Sequence, residues 1–262
     1  MSAILQVENL QKTFGAVTAA KDINVDVDAG EIVGIIGANG AGKTTFVNMV
    51  TGYLKPSDGR IRFLGRDITG LAPRHVTRAG ICRSFQVSQV FVTMSVFDNL
   101  LTALGIAESR GLGMLRPLRR AELLDRCEQI LDRYGIGEYR DQPASQLPQG
   151  VRKLLDIAMA VVAKPKLLLL DEPTSGISVE EKFPLMDLVM EALKADDVTV
   201  LFIEHDMEIV ERYVGRVLAF YQGEIICDAP PAEALVDPKV QEYVIGTEHH
   251  RETHAPAEGG HA

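Results

Sequence analysis

The stretch Glu31-Ile32-Val33-Gly34-Ile35-Ile36-Gly37-Ala38-Asn39-Gly40-Ala41-Gly42-Lys43-Thr44-Thr45 decides the fold. Its first part is a short apolar run that reads as a buried strand, and the residues from Thr44 to Thr51 have helical spacing with Phe46, Val47 and Val50 apolar. A glycine-rich turn between a strand and a helix aims successive backbone N–H groups at an anion. Gly37, Gly40 and Gly42 keep side chains out of the way of a phosphate and allow the tight turn. Lys43 adds a cation for β- and γ-phosphates, and the Thr44 hydroxyl is a ligand for Mg²⁺. The segment Gly37–Thr45 is therefore a phosphate-binding loop, and the chain handles a nucleoside triphosphate.

The rest of the composition narrows what kind of protein carries this loop. At 262 residues, 46% hydrophobic and 24% charged, it has the make-up of a globular protein. A net charge of −9 without a basic block argues against a nucleic-acid partner. Cys82, Cys127 and Cys227 are far apart and lack metal-ligand spacing, so reduced thiols are expected. Met1-Ser2-Ala3-Ile4 lacks a signal-peptide pattern, and apolar runs such as Val198–Ile203 are of strand length. Any membrane role is expected to come through a partner.

Working outward, strands are expected at Ile4–Val7, Ile23–Val27, Ile32–Ile36 and Arg60–Leu64, and later at Leu167–Leu170, Val198–Ile203, Arg216–Phe220 and Glu224–Cys227. Helices are expected at Pro73–Ala79, Val96–Leu104 and Arg120–Tyr134. The last of these sets Leu123, Leu124, Cys127, Ile130, Leu131 and Tyr134 on one face. Gly105–Leu118 reads as a loop or broken helix. Residues 248–262, polar and aperiodic with His249, His250, His254 and His261, read as a disordered tail. Alternating strands and helices make this an α/β protein with a mainly parallel sheet.

In such sheets ligands sit at the carboxyl ends of strands. Leu167-Leu168-Leu169-Leu170-Asp171-Glu172 delivers two acids there: Asp171 to hold Mg²⁺, through water, and Glu172 to polarise the water that attacks the γ-phosphate. Val200-Leu201-Phe202-Ile203-Glu204-His205 brings His205 to the same edge as a γ-phosphate contact. Gln86, in Arg83-Ser84-Phe85-Gln86, follows another short strand and is placed to ligate Mg²⁺ or the attacking water.

Taken together, residues 4–246 resemble the ATPase subunit of ATP-binding cassette (ABC) transporters. In that family's terms Gly37–Thr45 matches the Walker A loop and Leu167–Glu172 the Walker B strand with its catalytic glutamate. Gln86 matches the Q-loop, His205 the switch histidine, and Phe14 the aromatic that stacks on adenine. More narrowly the chain resembles the ATPases of branched-chain amino acid importers, through Arg83-Ser84-Phe85-Gln86, Phe97-Asp98-Asn99-Leu100, the long Gly105–Arg120 segment, Leu147-Pro148 and the ending Tyr243-Val244-Ile245-Gly246.

The resemblance implies a P-loop NTPase of ABC type over residues 1–246, with an N-terminal antiparallel β subdomain, a helical signature subdomain at about 87–162, and the tail at 247–262. It implies ATP and Mg²⁺, a second ATPase subunit, membrane-spanning permease subunits and, indirectly, a periplasmic solute-binding protein. The chain would then lie peripherally on the cytoplasmic face of the inner membrane. Coupling to the permease is implied through the Gln86–Asn99 region.

Two places depart from the family pattern. The signature, usually Leu-Ser-Gly-Gly-Gln, reads Leu147-Pro148-Gln149-Gly150-Val151, and the D-loop aspartate is replaced in Ser175-Gly176-Ile177-Ser178. In such proteins the signature caps the nucleotide of a partner across a head-to-tail dimer. Gly150 and the Gln149 amide at a helix N-terminus keep a dipole contact there, while the lost aspartate removes a hydrogen bond of about 1.5–3 kcal/mol. A sister ATPase as the partner is therefore favoured over a second copy. Lipid or lipopolysaccharide exporter ATPases share this outline but keep Leu-Ser-Gly-Gly. Soluble repair and translation ATPases carry heptad arms or tandem cassettes, absent from this chain with its single Walker A. A non-hydrolysing regulatory subunit would not need Glu172 and His205.

Overall fold

A computed structural model describes residues 3–86, 88–108 and 117–246. The expected tail at 247–262 and most of the expected Gly105–Leu118 loop lie outside the described residues.

Two sheets organise the molecule. Strands β1 (Ala3–Phe14), β2 (Val17–Asp28), β4 (Asp58–Phe63) and β5 (Arg66–Asp67) form an antiparallel sheet in the order β2-β1-β4-β5. The second sheet uses β3 (Ile32–Ile36), β6 (Ile81–Ser84), β7 (Leu167–Asp171), β8 (Thr199–Ile203), β9 (Arg216–Tyr221) and β10 (Glu224–Ala229). Its order is β10-β9-β3-β8-β7-β6, parallel throughout except for the β9–β10 hairpin.

Both faces of the larger sheet are buried, which is why its central strands are continuous apolar runs. Leu167, Leu169, Leu201, Ile203, Leu218 and Phe220 point to one core; Leu168, Leu170, Val200, Phe202, Val217 and Ala219 point to the other. The first core also receives Leu5, Leu10, Ile23 and Ile61 of the antiparallel sheet. Helix α1 (Lys43–Val50) contributes Phe46, Val47, Met49 and Val50 to it, so α1 lies between the two sheets. The Phe46 and Phe220 rings meet there at 5.5 Å.

Helix α2 (Pro73–Ala79) leads into β6, and its Val76 joins the first core. The second core is covered by α3 (Val96–Glu108), α4 (Ala121–Arg133), α5 (Gln149–Val161), α6 (Val179–Ala195) and α7 (Met207–Tyr213). Helix α4 buries Leu123, Cys127 and Leu131 as its stripe predicts, with Leu124 and Ile130 half-buried and Tyr134 buried just beyond its end.

Several boundaries differ from expectation. Strand β1 runs to Phe14 rather than Val7, because register shifts around Asn9 and Gln11 break the alternation of apolar and polar residues. Helix α3 continues four residues into the expected loop. Gly105 sits in it because Leu118 lies where a Cβ would stand.

Candidate active site

The phosphate loop hangs between β3 and α1. Gly37 (φ 149°) and Gly42 (φ 107°) have backbones that disfavour side chains, and a Cβ on them would meet the Phe220 and Ala19 carbonyls at 2.5 and 2.8 Å. Gly42 is the N-cap of α1. No side chain caps this helix and no acid sits in its first turn, so the first amides are left to face an anion. The buried Lys43 ammonium folds back over the loop, donating to the Gly37 carbonyl and, at 3.3 Å, to that of Ala38.

A pocket of about 120 Å³ opens above this loop, lined by residues 38–45, Ala19, Glu172 and His205. Its facing wall is made by strands that end level. Ser84 pairs with Leu170, Asp171 with Ile203, and Ile203 with Ile35. The residues just beyond β6, β7 and β8 thus reach one edge together. The Glu172 carboxylate receives Gln86 Nε2 at 2.5 Å on one oxygen and meets His205 Nε2 at 3.1 Å on the other. Glu172 takes a left-handed backbone (φ 45°), with its N–H bonded to the Ile203 carbonyl at 3.0 Å. So Gln86, Glu172 and His205, scattered over 120 positions, come together opposite the loop.

A second row of residues holds the first. Buried Glu204 accepts the Thr174 N–H at 3.1 Å and its hydroxyl on one oxygen, and the His205 N–H at 3.0 Å on the other. It thereby joins the turn after β7 to the turn after β8. Asp171 is buried and ion-paired with Arg83, whose other nitrogen donates to Asn48 of α1 at 2.7 Å. Lys153 of α5 donates to the Phe85 carbonyl at 2.7 Å, and Asp156 of α5 accepts the Ser84 hydroxyl at 2.6 Å and the Gln89 N–H at 2.7 Å. Burial pushes the Lys153 ammonium below and the Asp156 carboxyl above their usual ranges.

Thr44, Gln86 and Asp171 offer a hydroxyl, an amide and a carboxylate. These hard oxygen donors suit a magnesium ion that keeps water and substrate phosphates among its ligands. The Arg83 pair leaves Asp171 better suited to a contact through water than to a direct one.

Other expected site residues stand elsewhere. Phe14 is half-exposed at the tip of the β1–β2 hairpin, paired with Val17 and with the Lys12 ammonium over its ring; the hairpin reaches the pocket through Ala19 instead. Leu147 and Pro148 lead into α5, Gln149 and Gly150 are its first residues, and none of the four lines the pocket. The Gln149 amide donates to the Ser175 carbonyl at 3.2 Å and lies over Gly176, where a Cβ would strike it. Sequence reading missed Glu204, Lys153, Asp156 and Asn48. Glu204 stands beside His205 in the segment already quoted, whereas Lys153, Asp156 and Asn48 carry no local signal, their partners being distant in sequence.

Comparison with known proteins gives the family. Residues 20–175 match the family described as ABC transporter. The chain is 36% identical over 249 residues to the high-affinity branched-chain amino acid transport ATP-binding protein LivG of Escherichia coli K12, covering 93% of this chain and 98% of that one. It is 33% identical to the probable LivG protein of Archaeoglobus fulgidus, covering 94% and 96%. Among solved structures, an ATP-binding cassette of an ABC transporter in its ADP conformation superposes with a TM-score of 0.82 at 32% identity, over 92% of this chain and 98% of that one. CbiO1 of Clostridium perfringens, part of an ABC transporter complex, does so at 0.79 and 30% identity, over 96% and 100%. With its phosphate loop, its level strand ends and these relatives over nearly its whole length, the chain belongs to the ABC transporter family as an ATP-binding, ATP-hydrolysing subunit.

Proposed function

We propose that this ATPase powers an importer of branched-chain amino acids or similar small polar solutes, with Glu172 as the general base. The observation that carries the catalytic reading is the Glu172 carboxylate, held from both sides by Gln86 and His205 opposite the phosphate loop. The importer class and its solute are supported by the LivG relatives.

Hydrolysis then runs as follows. The loop amides and Lys43 hold the β- and γ-phosphates of the substrate ATP. Glu172 orients water and takes its proton as the new O–P bond forms and the bridging P–O bond breaks, leaving ADP and phosphate. His205 and Gln86 fix the carboxylate, and His205 also lines the pocket on the γ-phosphate side. Magnesium, carried by Thr44, Gln86 and Asp171, would supply charge neutralisation of the phosphates. Phe14 is assigned to the adenine.

Leu147 through Gly150 are assigned to a partner's nucleotide, since they stand away from this chain's own pocket. The Gln149 amide is engaged on its own Ser175, and Ser178 stands at the N-cap of α6 in place of an acid. Both features favour a sister ATPase as the partner. Among the described residues no helix is long and apolar enough to cross a membrane. Attachment at the cytoplasmic face of the inner membrane is assigned to permease subunits, with coupling through the Gln86–Asn99 region and a periplasmic solute-binding protein on the far side.

The test is the light-scattering mass of Glu172→Gln with and without saturating MgATP. ATP turnover should be nearly lost while ATP still binds, and near-parental turnover would place the base elsewhere. A mass unchanged by ATP is expected for a chain that needs a sister. A doubled mass would overturn that pairing in favour of a symmetric dimer.

A further inference from the structure

We infer that Lys153, on the first turns of α5, is a positioning residue that sets Gln86 and Glu172 together through the backbone. The inference rests on reading those two residues as hydrolytic. The Lys153 ammonium is 5% exposed and donates to two carbonyls: Phe85 at 2.7 Å and Asp171 at 3.5 Å. These carbonyls belong to the peptide bonds that enter Gln86 and Glu172. Because a peptide unit is planar, fixing its oxygen fixes the plane from which the next residue departs. One ammonium thus places both residues that meet at the 2.5 Å contact.

Asp156 lies three positions along α5, on the same helix face. It takes the Ser84 hydroxyl and the Gln89 N–H, on either side of Gln86. The segment that carries Gln86 is therefore gripped at Ser84, Phe85 and Gln89 by one helix. Glu172 needs such a hold as well, since its left-handed backbone is disfavoured for a residue with a side chain. Burying two charges is costly, and an apolar pair would fill the same space without that cost. What an apolar pair would not do is hold two carbonyls, a hydroxyl and an amide.

The helix that grips them is the one that begins at Pro148-Gln149-Gly150. A displacement of the signature segment is thereby also a displacement of Gln86 against Glu172 within the same chain.

The test compares full-length Lys153→Met, Lys153→Arg and Ser84→Ala with the parent for ATP affinity, turnover at saturating MgATP, and hydrogen exchange. Lys153→Met should bind ATP within about twofold of the parent, with kcat down about tenfold or more and KM little changed. Amides of residues 84–90 should exchange faster while those of β8 do not. Lys153→Arg should recover most of the rate, and Ser84→Ala should lose about threefold in kcat with ATP affinity kept. Parental kcat in Lys153→Met overturns the proposal, as does a loss of rate without faster exchange at 84–90. If Lys153→Met lacks a cooperative melting transition, Ser84→Ala decides, and parental turnover there overturns it. Glu172→Gln is measured alongside: if it turns over normally, the reading of Glu172 fails whatever Lys153 does. A slow Glu172→Gln beside a normal Lys153→Met overturns the positioning role alone.

Discussion

Single residues in this protein divide by how far away their partners lie. Lys43 bonds to carbonyls five and six positions back, so the loop sequence announces it. Removing its ammonium takes away the cation built into the loop. Lys43→Ala should weaken ATP binding by about 100-fold, on the scale of a lost charge-assisted contact, as isothermal titration would measure. Unchanged affinity would contradict the phosphate-loop assignment. Asp171, Glu172 and His205 are legible for a similar reason: each stands within two residues of the end of an apolar run that reads as an interior strand. Arg83, Lys153 and Asp156 were not, because their partners lie 88, 68 and 72 positions away. Sequence spacing carries no trace of such pairs, and burying a charge is what a pattern of apolar periodicity would advise against.

Elements were legible where their pattern is regular. Helix α4 shows its buried stripe in the sequence, and β7 and β8 carry the unbroken apolar runs Leu167–Leu170 and Val200–Ile203 because both their faces are covered. The full length of β1 is hidden where its register shifts, and α6 carries Pro184 inside it, which hides a 17-residue helix from any rule that stops at proline. Helix α7 is only seven residues long, and its cap supports it: Asp206 accepts the Glu208 and Ile209 N–H groups at 3.0 and 3.4 Å. Asp206 also pairs with Lys182 of α6, so it ties two helices beside His205. Asp206→Ala should lower stability by about 1–2 kcal/mol in urea titrations, and Asp206→Asn, which still caps, by less. Equal losses in the two variants would place the effect in the ion pair rather than the cap.

At the scale of the molecule, the core under the helical face of the larger sheet carries two thiols whose chemistry follows from burial. Cys82 and Cys127 are pushed up to about 11, chiefly by desolvation. A raised folded-state value means stability that is complete below the unfolded value and lost as pH rises through the folded one. Stability should therefore fall between pH 9 and 11 by about 2 kcal/mol for each thiol, as its unfolded form ionises and its folded form does not. In Cys82→Ala with Cys127→Ala, melting temperature followed over that range should decline less steeply than in the parent; an identical slope would assign the loss to other groups. The α/β class and the parallel sheet were readable from alternation alone, but the order of the strands was not, since chain order says little about which strands are neighbours.

That order makes the sheet a ruler. Read from β3 through β8 and β7 to β6, it sets out the loop, His205, Glu172 and Gln86 in sequence, one strand spacing apart. Three spacings of about 4.8 Å span roughly 14 Å. The scale is not equally stiff along its length. The first three marks stand on strands clamped between two neighbours, whereas Gln86 follows β6, a margin with a single neighbour. Strain arising at the phosphates meets strands held on both sides until it reaches that margin, where α5, through Lys153 and Asp156, does the holding that a further strand would do.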